Sequence, residues 1–231
     1  MAFPSSCDPD LLGHEALQRV QDDGCLLLRG AIPGAWVEQL RTAFEVNERA
    51  SQDWPAPRGP DWRHALVDLE PVVQETCRLP ILLSTVWSML GRPFFLVQVE
   101  GREPRRGGGA QILHRDSLDD EAGVTVSALA FLDPFDASNG ATRVAPGTHR
   151  GAGGAARGRE SSATTTLAGD AGDIFVFDTN VLHGGTTNLS GRPRRSLLIT
   201  FAVTELRPHF DATRALRWVR MDTAEVFVAK T

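Results

Sequence analysis

The pattern of apolar residues changes at about residue 94 of the chain. Three segments before that point have the apolar spacing of an amphipathic helix: residues 8–24, the stretch that follows Pro33, and residues 71–90. In the first of these, Asp8 or Asp10 is a candidate N-cap and Gly24 is a stop signal. The run "CLLLRG", residues 25–30, predicts a short buried strand. We therefore predict that residues 1–93 form a mainly helical support.

From Phe94 onward, short runs rich in strand-forming residues alternate with Gly, Pro, Asn and Asp. These runs are "FFLVQV", "AQILH", "VTVSALAFL", "TTTLA", "DIFVFD" and "RRSLLITFAVTEL". Helices that precede strands without βαβ alternation favour an antiparallel sandwich or jelly roll, and strands that are apolar on both faces suggest that helices cover one sheet. We predict a single α+β domain, mainly β, in which residues 94–206 form the jelly-roll core and residues 207–231 form a C-terminal extension.

The composition is that of an ordinary globular protein, with 42% hydrophobic and 23% charged residues. Its net charge is −5 and its basic residues are scattered, so nucleic acid is not an expected partner. The N-terminus lacks the features of a signal peptide, and the longest apolar segment, "LPILLSTVWSML", is too short to span a bilayer. We expect a cytoplasmic protein without a membrane partner.

Two kinds of residue are given no chemistry. Cys7, Cys25 and Cys77 are widely spaced and form no CxxC pair, so we interpret them as packing residues. His14, His64 and His149 lack a paired ligand and are interpreted as ordinary surface or core residues, with contact to the substrate as the alternative for His149, which adjoins the predicted loop.

The candidate chemistry begins in the stretch "QILHRDSLDD", where His114 and Asp116 lie two positions apart. About one such pair is expected by chance from six histidines and 29 acidic residues, and a second pair exists at His209 and Asp211. In an extended strand, residues two apart point to the same face, so His114 and Asp116 can converge on one ion. Spacing alone does not separate the two pairs, but their context does.

His183 is the candidate for a third ligand. It lies in "GDIFVFDTNVLHGGTTN", at the end of an apolar run and before Gly184 and Gly185, where the backbone can turn sharply or approach a ligand closely. Two histidines and one carboxylate form the facial triad that suits non-haem Fe(II) and leaves coordination positions open. The pair at His209 has no histidine after it, and we interpret it as a surface turn.

A candidate anion site follows the third ligand. Arg194 lies eleven positions after His183, and Ser196 is two residues further along the same predicted strand. A guanidinium binds a carboxylate through two charge-assisted hydrogen bonds, and a neighbouring hydroxyl adds a third. Such a pair could hold a dicarboxylate such as 2-oxoglutarate. Arg192 and Arg195 are alternatives that only the phase of the strand distinguishes.

The chain resembles the phytanoyl-CoA dioxygenase-like family of Fe(II)/2-oxoglutarate-dependent oxygenases. The resemblance runs in order through "DGCLLLRGAIP", "QILHRDS", "NGATRVAPGTHR" and "GDIFVFDTNVLHGGTTNLSGRPRRS", over about residues 8–205. It implies a double-stranded β-helix fold that uses Fe(II), with 2-oxoglutarate and O₂ as cosubstrates.

The resemblance also assigns roles to individual residues. His114, Asp116 and His183 correspond to the iron ligands, and Arg194 with Ser196 corresponds to the clamp for the C5 carboxylate of 2-oxoglutarate. Two further residues match positions at which the family often contacts the cosubstrate: Gln98, on the strand before the metal motif, and Thr142, in "NGATRVAPG". A carboxylate at position 116 disfavours halogenation, because related halogenases have a small residue there.

The leading hypothesis is an oxygenase that acts on a small molecule by hydroxylation or oxidative cyclisation. Desaturation and epimerisation use the same ligands in relatives, so the sequence leaves them open. An Ala-, Gly- and Arg-rich composition fits a natural-product pathway, with a glycosylated or cationic intermediate as one option. A non-catalytic jelly-roll protein that binds a metal or a sugar is the main alternative, and a zinc hydrolase is a weaker one. The Arg-x-Ser pair favours the oxygenase, because neither alternative requires it.

Several segments are expected to shape the substrate pocket. Arg150 to Ser162 is rich in Gly, Ala and Ser, so we predict a mobile loop that acts as a substrate lid. The acidic cluster from Asp119 to Glu121 and the N-terminal helices are also expected to shape the pocket. Trp54 and Trp62 are expected to be core or lid anchors that could stack on a ring.

Overall fold

We describe a computed structural model of the chain, which covers residues 6–116, 122–150 and 163–229. The predicted acidic cluster from Asp119 to Glu121 lies outside the described residues. So does the predicted lid, apart from Arg150 and the residues that flank it.

The described residues form five α-helices and twelve strands. The helices are α1 (His14–Asp23), α2 (Gly34–Val46), α3 (Pro71–Thr76), α4 (Pro80–Leu90) and α5 (Arg207–Ala212). The first six strands are β1 (Ser6–Cys7), β2 (Cys25–Leu28), β3 (Glu48–Arg49), β4 (Trp62–Ala65), β5 (Phe94–Pro104) and β6 (Thr125–Phe131). The others are β7 (Thr142–Ala145), β8 (Thr165–Thr166), β9 (Ile174–Asp178), β10 (Leu182–Gly185), β11 (Ser196–Val203) and β12 (Val228–Ala229).

The helix ends follow local signals in the sequence. Gly24 ends α1 in the left-handed conformation, with φ 69°, and α2 begins directly after Pro33. The predicted cap at Asp8 belongs to a separate 3₁₀ turn, so α1 itself begins later, at His14. The helical zone at 71–90 is divided in two, because Pro80 lacks an N–H and therefore starts a new helix.

Two antiparallel sheets face each other. The major sheet has seven strands in the order β2-β9-β6-β11-β5-β4-β3, and the minor sheet has three in the order β10-β7-β8. A small parallel pair joins β1 to β12. The predicted α+β class, a jelly roll with helices packed on one sheet, is confirmed.

The major sheet is apolar on both faces because each face has a different partner. On β6 and β11, Val126, Ala128, Leu197 and Ile199 belong to the core that the major sheet shares with the helices, where Leu40, Phe44, Leu82 and Val86 also lie. A second core of aromatic and aliphatic residues fills part of the space between the two sheets. The alternate residues of the same strands are free to line a cavity.

The N-terminal part is less helical than predicted. Strands β2, β3 and β4 precede residue 94 and belong to the major sheet, so a boundary at that residue cuts through one sheet. "AQILH" was predicted as a strand, but only His114 forms a bridge there, to His183. The glycine-rich run before it, residues 107–109, breaks the regular pairing.

The remaining expectations about packing concern the cysteines and the helices. All three cysteines are free and buried, and burial raises the pKa of the Cys7 thiol to about 11 and that of Cys77 to about 12, which agrees with a packing role. In the described part of the chain, every helix is too short or too polar to cross a bilayer.

Candidate metal centre and adjoining cavity

The three predicted ligands come together at the edge of the minor sheet. His183 lies within β10, whereas the apolar run that precedes it is β9 of the opposite sheet, so His183 is not at the end of that run as predicted. The chain crosses between the sheets at residues 179–181. His114 pairs with His183 through two backbone hydrogen bonds, and the Asp116 amide donates to the Thr179 carbonyl.

The side chains of His114, Asp116 and His183 form a compact group. One candidate ligand atom from each lies within 4.8 Å of the others. The carboxylate oxygens of Asp116 lie 3.3 Å from His114 Nε2 and 3.4 Å from His183 Nε2. Among the described residues, this is the group with the donor set of a metal site.

Hydrogen bonds orient both imidazoles. His114 Nδ1 lies 2.8 Å from the Ile112 carbonyl oxygen, and His183 Nδ1 lies 3.0 Å from that of Val181. Because a carbonyl only accepts, each Nδ1 carries the proton in the neutral ring and each Nε2 has a free lone pair. Both lone pairs are therefore available to one ion, and this is the arrangement in which histidine binds metals.

The electrostatics of the group favour an ionised carboxylate. Burial by itself would raise the pKa of Asp116, but the adjacent imidazoles of His114 and His183 outweigh it and lower that pKa. Asp116 in turn favours the protonated form of the neighbouring His114 ring and so raises the pKa of His114. Asp116 is thus an anionic oxygen donor between two nitrogen donors.

Gly184 and Gly185 allow close backbone approach rather than a sharp turn. A Cβ atom on Gly185 would lie 2.3 Å from the Gly109 carbonyl oxygen, and one on Gly184 would lie 2.9 Å from that of Ile112. The prediction was a sharp turn or close approach to a ligand, whereas the close approach seen here is to the backbone of residues 109–112. Without side chains, β10 can lie directly against the segment that carries His114.

Arg115 points away from the three candidate ligands His114, Asp116 and His183, which we call the metal group. It links the segment that carries His114 to the turn that leads to His183. Its Nη1 donates to the Thr148 carbonyl at 2.7 Å and to the Asn180 carbonyl. Asp178 holds the same turn, since its carboxylate accepts from the amides of Asn180 and Gly123. The segment with His114 is thereby fixed relative to the turn that leads to His183.

We expect Arg115→Met to weaken metal binding roughly tenfold, which is the lower end of the effect of losing a group that orients ligands. The ligands themselves remain, so binding should be weakened and not lost. The measurement is titration of the metal-free protein with Ni(II). Arg29→Met is a matched control, because Arg29 pairs with Asp173 away from the metal group. An unchanged affinity in Arg115→Met would contradict the positioning role.

A cavity of about 510 Å³ lies between the two sheets and includes the metal group. Strands β5, β6, β9 and β11 supply one wall, and β7 and β10 supply the opposite one. All seven predicted site residues line it: Gln98, His114, Asp116, Thr142, His183, Arg194 and Ser196.

Arg194 is buried without an ionic partner. Its side chain is 2% exposed, and among the described residues nothing accepts a hydrogen bond from Nε or Nη1. Burial lowers the pKa of this guanidinium to about 9. Its charged end contacts the rings of Phe135, at 4.6 Å, and Trp62, at 5.4 Å. A buried cation of this kind is costly unless an anion completes it.

The neighbouring arginines have partners. Arg195 forms ion pairs with Asp133 and Glu45, both at 2.8 Å, and Arg192 pairs with Asp136 at 2.5 Å. Neither is among the residues that line the cavity. The phase of the chain before β11 therefore directs Arg194 inward and the other two outward.

The other residues predicted to contact the cosubstrate, Ser196, Thr142 and Gln98, differ in whether their side chains already form hydrogen bonds within the protein. The Ser196 hydroxyl donates to the Arg102 carbonyl at 3.2 Å and begins β11, so Arg194 precedes the strand instead of sharing it. Thr142 is buried in β7, which pairs with β10, the strand that carries His183. Gln98 Oε1 accepts a hydrogen bond from Arg217 at 3.0 Å.

Several cavity residues had no signal in the sequence. Gln111 accepts from the Gly185 amide through Oε1 at 3.1 Å, and Arg102 lines the wall next to Ser196. The C-terminal extension supplies a further group at the rim: His209, Phe210, Thr213, Leu216 and Arg217. His209 lies in α5, so its interpretation as a surface turn was wrong, although it takes no part in the metal group.

The other histidines and tryptophans mostly serve packing. Trp54 is buried and makes edge contacts with His64 and Trp218, whereas Trp62 reaches the cavity. His149 lies against Gly24 and is not among the residues that line the cavity with His114, which favours the packing interpretation over contact with the substrate. Trp218, with φ 56°, is the one non-glycine residue with positive φ in the described part of the chain, next to Arg217.

Comparison with known proteins identifies relatives of this arrangement. The family model described as phytanoyl-CoA dioxygenase (PhyH) matches residues 20–196. The iron/alpha-ketoglutarate-dependent dioxygenase okaE of Penicillium ochrochloron is 23% identical over 230 residues, which cover 90% of this chain and 75% of okaE.

Solved structures have the same fold. The non-haem alpha-ketoglutarate-dependent epimerase SnoN from nogalamycin biosynthesis superposes with a TM-score of 0.68 at 18% identity, over 85% of this chain and 84% of SnoN. HygX from Streptomyces hygroscopicus, with nickel, 2-oxoglutarate and hygromycin B bound, gives a TM-score of 0.66 at 18% identity, over 84% and 88% of the two chains.

Proposed function

The chain belongs to the phytanoyl-CoA dioxygenase family and is an iron- and 2-oxoglutarate-dependent dioxygenase, and from this premise we propose that His114, Asp116 and His183 hold its iron. Two neutral imidazole nitrogens and one carboxylate on one side of an ion leave three positions for other ligands. The fit is supported by the orientation of both Nε2 lone pairs towards Asp116.

We propose that Arg194 binds the distal carboxylate of 2-oxoglutarate. The observation that carries this assignment is a buried guanidinium without an ionic partner, in the same cavity as the metal group. Ser196 and Thr142 line that cavity too, and we assign them supporting contacts to the cosubstrate. A protein that only bound a metal or a sugar would have no use for such a cation.

The residues of the chain position the reactants and exclude water. When bound, iron with 2-oxoglutarate and O₂ supplies the oxidising chemistry, while the protein decides which bond of the substrate lies nearest the metal. Phe135 and Trp62 cover the guanidinium of Arg194. Their rings would shield the proposed ion pair between Arg194 and the 2-oxoglutarate carboxylate from water, in which the attraction between the two charges is weaker.

We further propose that the substrate is a natural-product intermediate that undergoes hydroxylation or oxidative cyclisation. The similarity to SnoN, an epimerase of nogalamycin biosynthesis, and to HygX, solved with hygromycin B, supports a small molecule. A cavity of about 510 Å³ has the size of a pocket for such a ligand beside the cosubstrate.

The test is anaerobic addition of Fe(II) and 2-oxoglutarate to the metal-free protein. We expect a visible metal-to-ligand charge-transfer band that needs both additions, because 2-oxoglutarate must coordinate the iron. After air is admitted, succinate should form. A band that appears with Fe(II) alone, or no band with both, would contradict the assignment.

A further inference from the structure

Two arginines lie at opposite ends of the cavity wall formed by β5 and β11. These strands are in register, with Ser196 opposite Arg102 and Thr200 opposite Gln98. Arg194 precedes Ser196 at one end, whereas Arg217 is bonded to Gln98 at the other. The two register pairs are four residue steps apart, which corresponds to about 13 Å of strand. This backbone separation is longer than 2-oxoglutarate, and we assign that cosubstrate to Arg194 and not to Arg217.

Arg217 is held only by neutral acceptors. Its Nη1 donates to Gln98 Oε1 at 3.0 Å, its Nη2 to the Phe210 carbonyl at 2.6 Å, and its Nε to the Thr213 hydroxyl at 3.3 Å. In the described part of the chain, no carboxylate lies within ion-pair distance of it. Nη1 also donates to the Val97 carbonyl at 3.4 Å, and since a guanidinium has five N–H donors, one N–H on Nη2 remains available.

Gln98 adds a donor at the same place. A guanidinium only donates, so the oxygen of the Gln98 amide faces Arg217 and its NH₂ group faces away. Gln98 and its register partner Thr200 both line the cavity, as does Phe210, whose ring lies 5.3 Å from the Arg217 guanidinium. The rim therefore combines a cation, an amide N–H, a hydroxyl and an aromatic face.

The charged residues that line the cavity are mostly positive. Arg58, Arg102, Arg194 and Arg217 line it, and Asp116 is the only carboxylate among its described lining residues. Glu100 partly balances two of these arginines, because it pairs with Arg58 at 2.8 Å and also with Arg102. Among the described residues, Arg217 forms no ion pair, and Asp211 and Glu100 attract it only from a greater distance.

We propose that the substrate carries an acidic oxygen group, a carboxylate or a phosphate, that Arg217 and Gln98 bind while the adjacent ring of Phe210 contacts its apolar part. The inference rests on the proposed function, because it treats Arg194 as the site of the cosubstrate. It assigns Gln98 to the substrate instead of to 2-oxoglutarate. It also favours an acidic substrate over the cationic one suggested by composition.

The experiment uses protein loaded with inert Ni(II) and saturating 2-oxoglutarate, which occupies the cosubstrate site. Calorimetric titration compares four probes of similar size: benzoate, phenyl phosphate, benzamide and benzylamine. We expect at least one acid to bind, and the neutral and cationic probes to bind at least tenfold more weakly. The stronger acid distinguishes a carboxylate from a phosphate.

Variants locate the binding site. Arg217→Met should weaken acid binding at least tenfold, and Arg217→Lys should retain part of it. Arg214→Met is the matched control, because Arg214 donates to Val219, Met221 and Thr223 and does not line the cavity. Gln98→Glu offers a second variant that preserves shape, and its carboxylate should neutralise Arg217 and abolish acid binding.

Two results would overturn the inference: acid binding that is unchanged in both Arg217→Met and Gln98→Glu, or benzamide and benzylamine binding as tightly as the acids. Binding of 2-oxoglutarate is measured in the same samples. If the wild-type protein did not bind 2-oxoglutarate, the proposed function itself would be refuted. If 2-oxoglutarate bound normally but acid binding did not depend on Arg217, only the proposed substrate class would be refuted.

Discussion

Replacement of His183 by alanine is expected to abolish the charge-transfer band and the turnover of 2-oxoglutarate. The change removes one of two nitrogen donors, so metal affinity should fall by more than about a hundredfold, the upper end for loss of a group that merely orients a ligand. Because His183 lies on β10, whose backbone pairing does not need the imidazole, the fold should be preserved. Titration with Fe(II), followed by absorbance and circular dichroism, measures both effects.

His209→Ala is the internal control for this experiment. His209 has a nearby aspartate at the same spacing as His114 and lies at the cavity rim, but it is not part of the metal group. Its loss should leave the band unchanged, and His114→Ala should behave as His183→Ala does. If His209→Ala removed the band, or if His183→Ala retained it, the ligand assignment would be wrong.

The sequence predicted features whose causes are local. Gly24 and Pro33 mark helix ends because their backbone preferences act within one turn, and β6, β9 and β11 are runs of residues that suit a buried strand. The pair at His114 and Asp116 converges although it lies outside a regular strand, since a single bridge to His183 is enough to align it. The spacing of His114 and Asp116 was therefore sufficient to predict that their side chains lie close together, and their role as iron ligands is the proposal made above.

Features that depend on distant partners could not be predicted. Arg192, Arg194 and Arg195 look alike in sequence, and only Asp133, Asp136 and Glu45 decide which of them turn away from the cavity. Strands β4 and β10 have four residues each, too few for a clear alternation. Arg217 reaches the cavity through Gln98, a residue 119 positions earlier, which no local pattern could reveal.

Replacement of Arg194 by methionine should remove 2-oxoglutarate binding while the empty protein remains folded. Loss of one member of a buried, hydrogen-bonded charge pair costs about 2–5 kcal/mol, which corresponds to a rise in Kd of roughly thirty- to several-thousandfold. Methionine keeps the apolar contacts with Phe135 and Trp62. The measurement is titration of the Ni(II)-loaded protein with 2-oxoglutarate, and metal affinity should not change.

Although it removes cosubstrate binding, Arg194→Met is not expected to destabilise the ligand-free protein. Without an anion, the wild-type protein buries an unpaired guanidinium, so Arg194→Met should leave the melting temperature of the ligand-free protein unchanged or raise it. Saturating 2-oxoglutarate should then raise the melting temperature of the wild type and not that of the variant. Arg195→Met should lower the melting temperature of the ligand-free protein, because it breaks the ion pairs with Asp133 and Glu45. It should still be stabilised by 2-oxoglutarate, because the cavity stays intact. If Arg195→Met lost 2-oxoglutarate binding and Arg194→Met kept it, the assignment of the carboxylate site to Arg194 would be wrong. If Arg194→Met were strongly destabilised, the buried guanidinium of Arg194 would already have a partner within the protein.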